Sequence, residues 1–331
     1  MRPFRYETVA DPAAATAALA QDPGALLIAG GTEVVNWLKE GIVRPTRLLD
    51  VSGLPGLGAI DARPDELAIG ALVTMADLAD CETVRRDYPA VAEALNRSAS
   101  QQLRNMATIG GNLLQRTRCP YFRAETDLPC NKRRPGSGCA AIGGADRTLA
   151  IFGWSEHCVA THPSDLAVAL AALDASVTLR GLGGERTVPV AEFYRLPGDA
   201  PERDTVLDRG ELITAVTVPA SATARNSWYL KVRERVSYEF ALVSVAAGVQ
   251  VDEDGTITDA RIALGGVAHG PWRLHEAEAA LNGVSIDDTP AIASAVNPAF
   301  NQAQPRLQNG FKVPLAQRAV LRTLTTAVGA R

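Results

Sequence analysis

The chain has 331 residues, 33 basic and 37 acidic side chains, and a formal net charge of −4. Apolar residues make up 47% and charged residues 21%, ordinary usage for a globular protein of two or three modest domains. This balance argues against a nucleic-acid or anionic-membrane binder, and no window approaches the roughly 20 apolar residues of a membrane span. The first twenty residues lack the unbroken apolar core of a secretory signal, so synthesis as a soluble cytoplasmic protein is expected. Five cysteines are present, and four of them fall between Cys119 and Cys158. An odd total without an export signal argues against a disulfide framework.

An Ala-rich stretch after Asp11 reads as a short helix. Residues 26–28 form an apolar strand running into Ala29-Gly30-Gly31-Thr32-Glu33, then a helix over 34–39 and a strand over 47–51. That is an α/β unit. Residues 67–70 read as a strand, 74–80 as a helix capped by Thr74, and 88–99 as a longer helix. From about Arg116 to His157 the apolar periodicity fades. Pro, Gly, Arg and Cys dominate there, as in an irregular insertion held by something other than a hydrophobic core.

Ser164 and Asp165 then cap a helix reaching 173, followed by strands over 176–180 and 213–218. The small-residue run 219–224 marks a boundary between a domain over 1–222, with an inner split near 55, and a second over 223–331. Strands are expected at 228–232, 241–251 and 261–264, with Asp252-Glu253-Asp254-Gly255 as a hairpin turn. Helices at 274–281 and 315–328 would complete an α+β unit with helices on one face of its sheet.

Two segments share a design of apolar residues, paired glycines and a polar residue: Ile28-Ala29-Gly30-Gly31-Thr32-Glu33 and Thr108-Ile109-Gly110-Gly111-Asn112. Paired glycines permit positive φ, so successive N–H groups can converge on a phosphate, helped by the helix dipole after Thr32. Either pair alone also fits a plain tight turn. GxGxxG after a strand, GxxxxGK[ST], HExxH and GxSxG are all absent, which leaves nicotinamide Rossmann, P-loop, zinc-protease and α/β-hydrolase readings unsupported.

The runs LLIAGGTEVVNWLKEGIVRPTRLLDVS, LAIGALVTMADL, NMATIGGNLLQ, HPSDLAVALAALDASVTL, ELITAVTVP and YLKVRERVSYEFALVSVAAGV follow one another from near the start to the C-terminal third. Together they closely resemble the FAD-binding subunit of the xanthine dehydrogenase family of molybdenum hydroxylases. The resemblance implies a vanillyl-alcohol-oxidase-type FAD-binding domain in two α/β subdomains, then a CO-dehydrogenase-flavoprotein C-terminal domain. The class is α+β. It also implies roles: Ile28, Ala29, Gly30, Gly31, Thr32, Glu33, Val34 and Asn36 around the FAD pyrophosphate, with Thr108, Gly110, Gly111 and Asn112 as the second half of the cradle. Asp165 would bond a polar edge of FAD, and Lys231 would sit by the flavin pyrimidine edge. From residue type alone, Asp165 reads equally as a helix cap and Lys231 as a solvated strand lysine.

The spacing Cys119-x10-Cys130-x8-Cys139-x18-Cys158 lacks the tight C-x2–4-C pairs of structural zinc sites. Four thiolates can bind zinc or an iron–sulfur cluster. The insertion resembles that of bacterial periplasmic-type aldehyde oxidoreductases, which implies a [4Fe–4S] cluster on these four residues. Arg116, Arg118, Arg123, Lys132, Arg133 and Arg134 would offset its negative charge, or form a solvated loop or subunit contact. His157 is a substitute ligand candidate, and Cys81 reads as a buried structural thiol.

No pterin–molybdenum site is evident, so the resemblance implies one subunit of a heteromer. A large molybdenum-cofactor subunit and a small [2Fe–2S] subunit would feed electrons to FAD, which passes them to an external acceptor. The enzyme would be an aldehyde oxidoreductase; a purine or other N-heterocycle dehydrogenase, a self-contained flavin oxidase and a zinc-stabilised binding scaffold are the alternatives. Co-export on a partner's twin-arginine signal would carry the complex to the periplasm.

Overall fold

The computed structural model describes residues 2–329. Three sheets follow one another along the chain. Strands β1 (Arg5–Thr8), β2 (Ala25–Ile28) and β3 (Arg47–Asp50) pair in parallel in the order β1-β3-β2. The Ala-rich helix Pro12–Gln21 links β1 to β2, with the Asp11 carboxylate accepting the Ala14 N–H at its N-terminus. Helix Val34–Lys39 links β2 to β3.

The second sheet is antiparallel: β4 (Ile60–Ala62), β5 (Glu66–Gly70), β6 (Ser176–Gly181), β7 (Gly184–Pro189) and β8 (Leu212–Pro219), ordered β4-β5-β8-β6-β7. The third holds β9 (Ser227–Val232), β10 (Val243–Val251), β11 (Ile257–Gly265) and β12 (Trp272–Arg273), ordered β12-β11-β10-β9. The 252–255 turn closes the β10–β11 hairpin, with Gly255 at φ 77°.

Helices Pro89–Asn96 and Asp165–Ala172 lie between the second and third sheets. Every residue of Asp165–Ala172 is buried, which suits its apolar sequence DLAVALAA. The third sheet therefore has helices on both faces, not the one face its own sequence suggests. Ala246 and Ala263 turn toward the earlier helices, whereas Val243, Val245, Ala247 and Val249 pack on the C-terminal helices. Those C-terminal helices are His275–Ala280, Thr289–Val296 and Lys312–Gly329. The middle one has no counterpart in the sequence reading.

No helix or strand element lies between Leu113 and Asp165 among the described residues. This insertion nonetheless has a small core of Cys119, Phe122, Cys130, Ala141, Leu149, Cys158, Val159 and Ala160. It is fastened to the C-terminal domain by polar contacts. Asn309 Nδ2 donates to the Leu149 and Ala150 carbonyls, and fully buried Lys312 donates to Leu149 and Gly266 carbonyls at 3.0 and 2.7 Å. Cys81 is half-buried between two short helices, less enclosed than expected. No helix is long and apolar enough to cross a membrane among the described residues.

Candidate functional site

A cleft of about 960 Å³ runs between the first two sheets and the edge of the third. At the end of β2 the chain turns through Ala29–Glu33, with Gly31 at φ 73° in the region glycine tolerates. Gly30 is needed for another reason: a Cβ there would stand 1.6 Å from the Met106 carbonyl oxygen. That approach sets the turn against the segment leading to Thr108. The N–H groups of Gly30, Gly31, Thr32 and Glu33 have no protein acceptor among the described residues. All four residues line the cleft, so an anionic ligand has donors ready for it.

The second glycine pair behaves differently. Gly110 and Gly111 sit inside a short helix, Ile109–Leu113, capped by Thr108. The Ile109 and Gly110 amides donate to Val73 and Ala71 carbonyls at 2.9 and 2.8 Å, and Gly111 to Thr108 Oγ1 at 3.2 Å. Asn112 is likewise engaged, its Oδ1 accepting from the Ser164 hydroxyl at 2.6 Å. Thr108, Gly110, Gly111 and Asn112 form a wall of the cleft, but their amides are not a second set of free donors. These residues would complete the cradle as a wall, not through free amides.

Of the residues expected around a cofactor, Ala29, Gly30, Gly31, Thr32, Glu33, Val34, Asn36, Asp165 and Lys231 also line the cleft. Ile28 does not, although its neighbours Leu27 and Ala29 do. Sequence reasoning missed Leu212 and Ile213, Ser98, and Tyr238 and Phe240 from the loop between β9 and β10. None of these carries a local signature.

Asp165 and Lys231 face each other in the cleft wall. Lys231 Nζ stands 2.8 Å from Asp165 Oδ2, with side chains 1% and 6% exposed. Lys231 is thus no solvated strand lysine. Asp165 is not the helix cap either: the Ser164 hydroxyl accepts the Ala167 N–H at 3.0 Å. The Asp165 carboxylate instead accepts from Tyr229 Oη, Ser98 Oγ at 2.9 Å and Lys231.

Glu33 turns away from the turn's amides. Its carboxylate accepts from Arg118 at 2.8 Å, Arg123 at 2.5 Å and the Trp37 indole at 2.8 Å. Burial alone would raise its pKa, but the Arg118 and Arg123 charges outweigh burial and hold it below the usual value. Most of the basic run of the insertion is therefore paired with carboxylates and carbonyls, while Arg134 stays solvent-exposed. Arg116 and Lys132 pair with Asp204 at 2.6 Å each, Arg123 also with Glu40 at 2.9 Å, and Arg134 with Asp127 at 2.7 Å. Arg133 donates to the Ala124 carbonyl at 2.7 Å. Arg118 also lies 4.9 Å over the Phe240 ring, joining the insertion to the β9–β10 loop.

Cys119, Cys130 and Cys158 are buried in the insertion's core, and half-buried Cys139 packs against it. Cys130 and Cys139 are paired across an isolated β-bridge. Burial pushes the Cys119 thiol up to about 11 and Cys158 up to about 12. Among the described residues, no three His, Cys, Asp or Glu side chains are arranged to hold a metal ion. His157 points to Asp199, 3.5 Å away, not to the thiols.

Comparison with known proteins identifies the family and its cofactor. Residues 2–221 match the family "FAD binding domain in molybdopterin dehydrogenase", and 228–327 match "CO dehydrogenase flavoprotein C-terminal domain". The chain belongs to the FAD-binding subunits of the molybdenum hydroxylase family. It is accordingly an oxidoreductase subunit. This flavin subunit is 49% identical to the aldehyde oxidoreductase FAD-binding subunit PaoB of Escherichia coli, over 99% of both chains. It is 28% identical to the glyceraldehyde dehydrogenase medium chain of Sulfolobus acidocaldarius, covering 83% of this chain and 80% of that one. Its fold matches a crystal structure of quinoline 2-oxidoreductase from Pseudomonas putida with a TM-score of 0.76 at 24% identity, over 99% and 98% of the two chains. A carbon monoxide dehydrogenase from Hydrogenophaga pseudoflava gives 0.74 at 26% identity, over 99% and 98%. The cleft fits FAD: unpaired amides for a pyrophosphate, glycines where a Cβ is not tolerated, and a buried acid–lysine pair in its wall.

Proposed function

We propose that this flavin subunit carries electrons within a heteromeric aldehyde oxidoreductase. Its partners would be a large molybdenum-cofactor subunit and a small [2Fe–2S] subunit. Bound FAD would supply the redox chemistry between the [2Fe–2S] centres and an external acceptor. The chain's own residues bind and tune it. The turn Gly30–Glu33 would hold the pyrophosphate through backbone N–H groups, and Asp165 and Lys231 would set the electrostatics at the ring. The 49% identity to an aldehyde oxidoreductase subunit over 99% of both chains carries the choice of aldehydes. That aligned length includes the cysteine insertion.

A [4Fe–4S] cluster on Cys119, Cys130, Cys139 and Cys158 is part of this reading. The support is chemical: three thiols are buried in one small core and the fourth, Cys139, packs against it. A four-iron cluster also holds its thiolates further apart than a single ion does. Metal and acid-labile sulfide analysis of the purified chain tests it. Cys130→Ser should lower iron while leaving most FAD bound; unchanged iron would overturn the ligand set. Co-expression with the neighbouring reading frames, followed by an aldehyde-dependent acceptor assay, tests the activity. Turnover by the isolated chain, or turnover of purines and not aldehydes, would overturn it.

A further inference from the structure

The carboxylate of Asp165 is tied down more fully than an ion pair with Lys231 requires. Its two oxygens accept three side-chain donors from two separate parts of the chain, Ser98 and strand β9. Ser98 and Lys231 Nζ reach Oδ2 at 2.9 and 2.8 Å, and Tyr229 Oη reaches Oδ1. Tyr229 and Lys231 alternate along β9, so both side chains leave the strand on the same face. Tyr229 is fully buried. Ser98, Asp165 and Lys231 line the cleft, whereas Tyr229 does not.

We propose that Tyr229 is a positioning residue for the flavin: its hydroxyl fixes and partly neutralises the Asp165 carboxylate, and so sets the reduction potential of the ring. This rests on the reading of the cleft as the FAD site. The argument is electrostatic. In a buried site a carboxylate acts over a long range, because little solvent screens it. Each donated hydrogen bond places a positive dipole end against the charge and weakens its field at the cofactor. Lys231 supplies the compensating cation, also held by the Arg97 carbonyl at 3.2 Å. Arg233 is the other charge near the phenol. Removing the phenol oxygen leaves Oδ1 without its donor, so the site becomes more negative. Electrons are then harder to place on the ring, and the flavin potential falls.

The test is a spectroelectrochemical titration of the purified flavoprotein, unaltered and as Tyr229→Phe, with FAD content measured in parallel. Tyr229→Phe should keep its FAD and shift the two-electron equilibrium about tenfold toward the oxidised form, which is about 30 mV. In an Asp165→Asn background the same substitution should have no effect on the potential, because the charge it acts through is gone. A merely structural tyrosine would shift the potential equally in both backgrounds, or in neither, and either result overturns the proposal. Should Tyr229→Phe fail to fold, Ser98→Ala removes another donor to the same carboxylate and carries the same prediction. If the unaltered chain holds no FAD, the reading of the cleft fails, and the proposal with it. FAD bound with an unmoved potential sinks the proposal alone.

Discussion

The cofactor cleft and the cysteine insertion meet at Glu33, yet they are built by opposite means. The glycine-rich end of the cleft is made of backbone: a turn with free N–H groups and one short helix whose amides are already satisfied. The insertion is made of side chains. Its arginines reach carboxylates at Glu33, Glu40, Asp127 and Asp204, and its thiols sit in a core of their own. Regular elements position the first, whereas ion pairs, most of them partly buried, hold together a stretch with almost no secondary structure. An insertion of this kind needs charged partners elsewhere in the protein, and Glu33 supplies one from the edge of the cleft itself.

Three substitutions would break or sharpen that contrast. The largest effect is expected at Gly30. Even Gly30→Ala places a Cβ 1.6 Å from the Met106 oxygen, where only backbone movement could relieve it. FAD content and far-UV circular dichroism should both fall, and a Gly30→Ala chain that keeps its full FAD would refute the backbone account of the cleft.

Glu33→Gln comes next. It leaves Arg118 and Arg123 facing each other without their shared carboxylate, which should cost about 3–5 kcal/mol in denaturant unfolding. The acid side has a defined sign. The Glu33 pKa is lower in the folded chain than its ordinary value of 4.5. Its contribution is therefore complete above that value and is lost as the pH falls toward the folded pKa. Glu33→Gln should remove this part of the acid sensitivity. An unchanged acid profile would mean that other groups hold the insertion.

The smallest effect concerns the far side of the insertion. Burial, with a lesser push from Arg147, lowers Lys312 to about 7 from an ordinary 10.5. Between those values the folded chain binds fewer protons than the unfolded chain, so this lysine makes stability rise with pH across that window. Lys312→Met should flatten the rise, read as the difference between unfolding midpoints at neutral and mildly alkaline pH. An equal rise in both chains would refute the assignment.

Much of this was legible in the sequence because it is local. Alternating apolar residues, Thr74 and Ser164 before apolar runs, and the Asp252–Gly255 turn each act within a few residues, and each element formed near its expected place. The first glycine pair belongs to the same class: positive φ and a missing Cβ are properties of single positions. The second pair shows the limit. Its sequence resembles the first, but the Thr108 cap and the carbonyls of Ala71 and Val73 draw its amides into a helix. Ala71 and Val73 lie more than thirty residues away, so nothing near Gly110 announces them.

The sequence alone thus determined most of the main elements, the family and the residues worth watching. The tertiary structure decided what those residues do. Asp165, Lys231, Tyr229 and Ser98 come from three distant segments and meet only because the Asp165–Ala172 helix is packed between two sheets. Glu33 serves the insertion instead of the turn because Arg118 and Arg123, more than eighty residues on, are folded back against it. The physical reason is the same in both cases. A buried charge is tolerable only beside its partner, and that partner is chosen by packing, not by position along the chain.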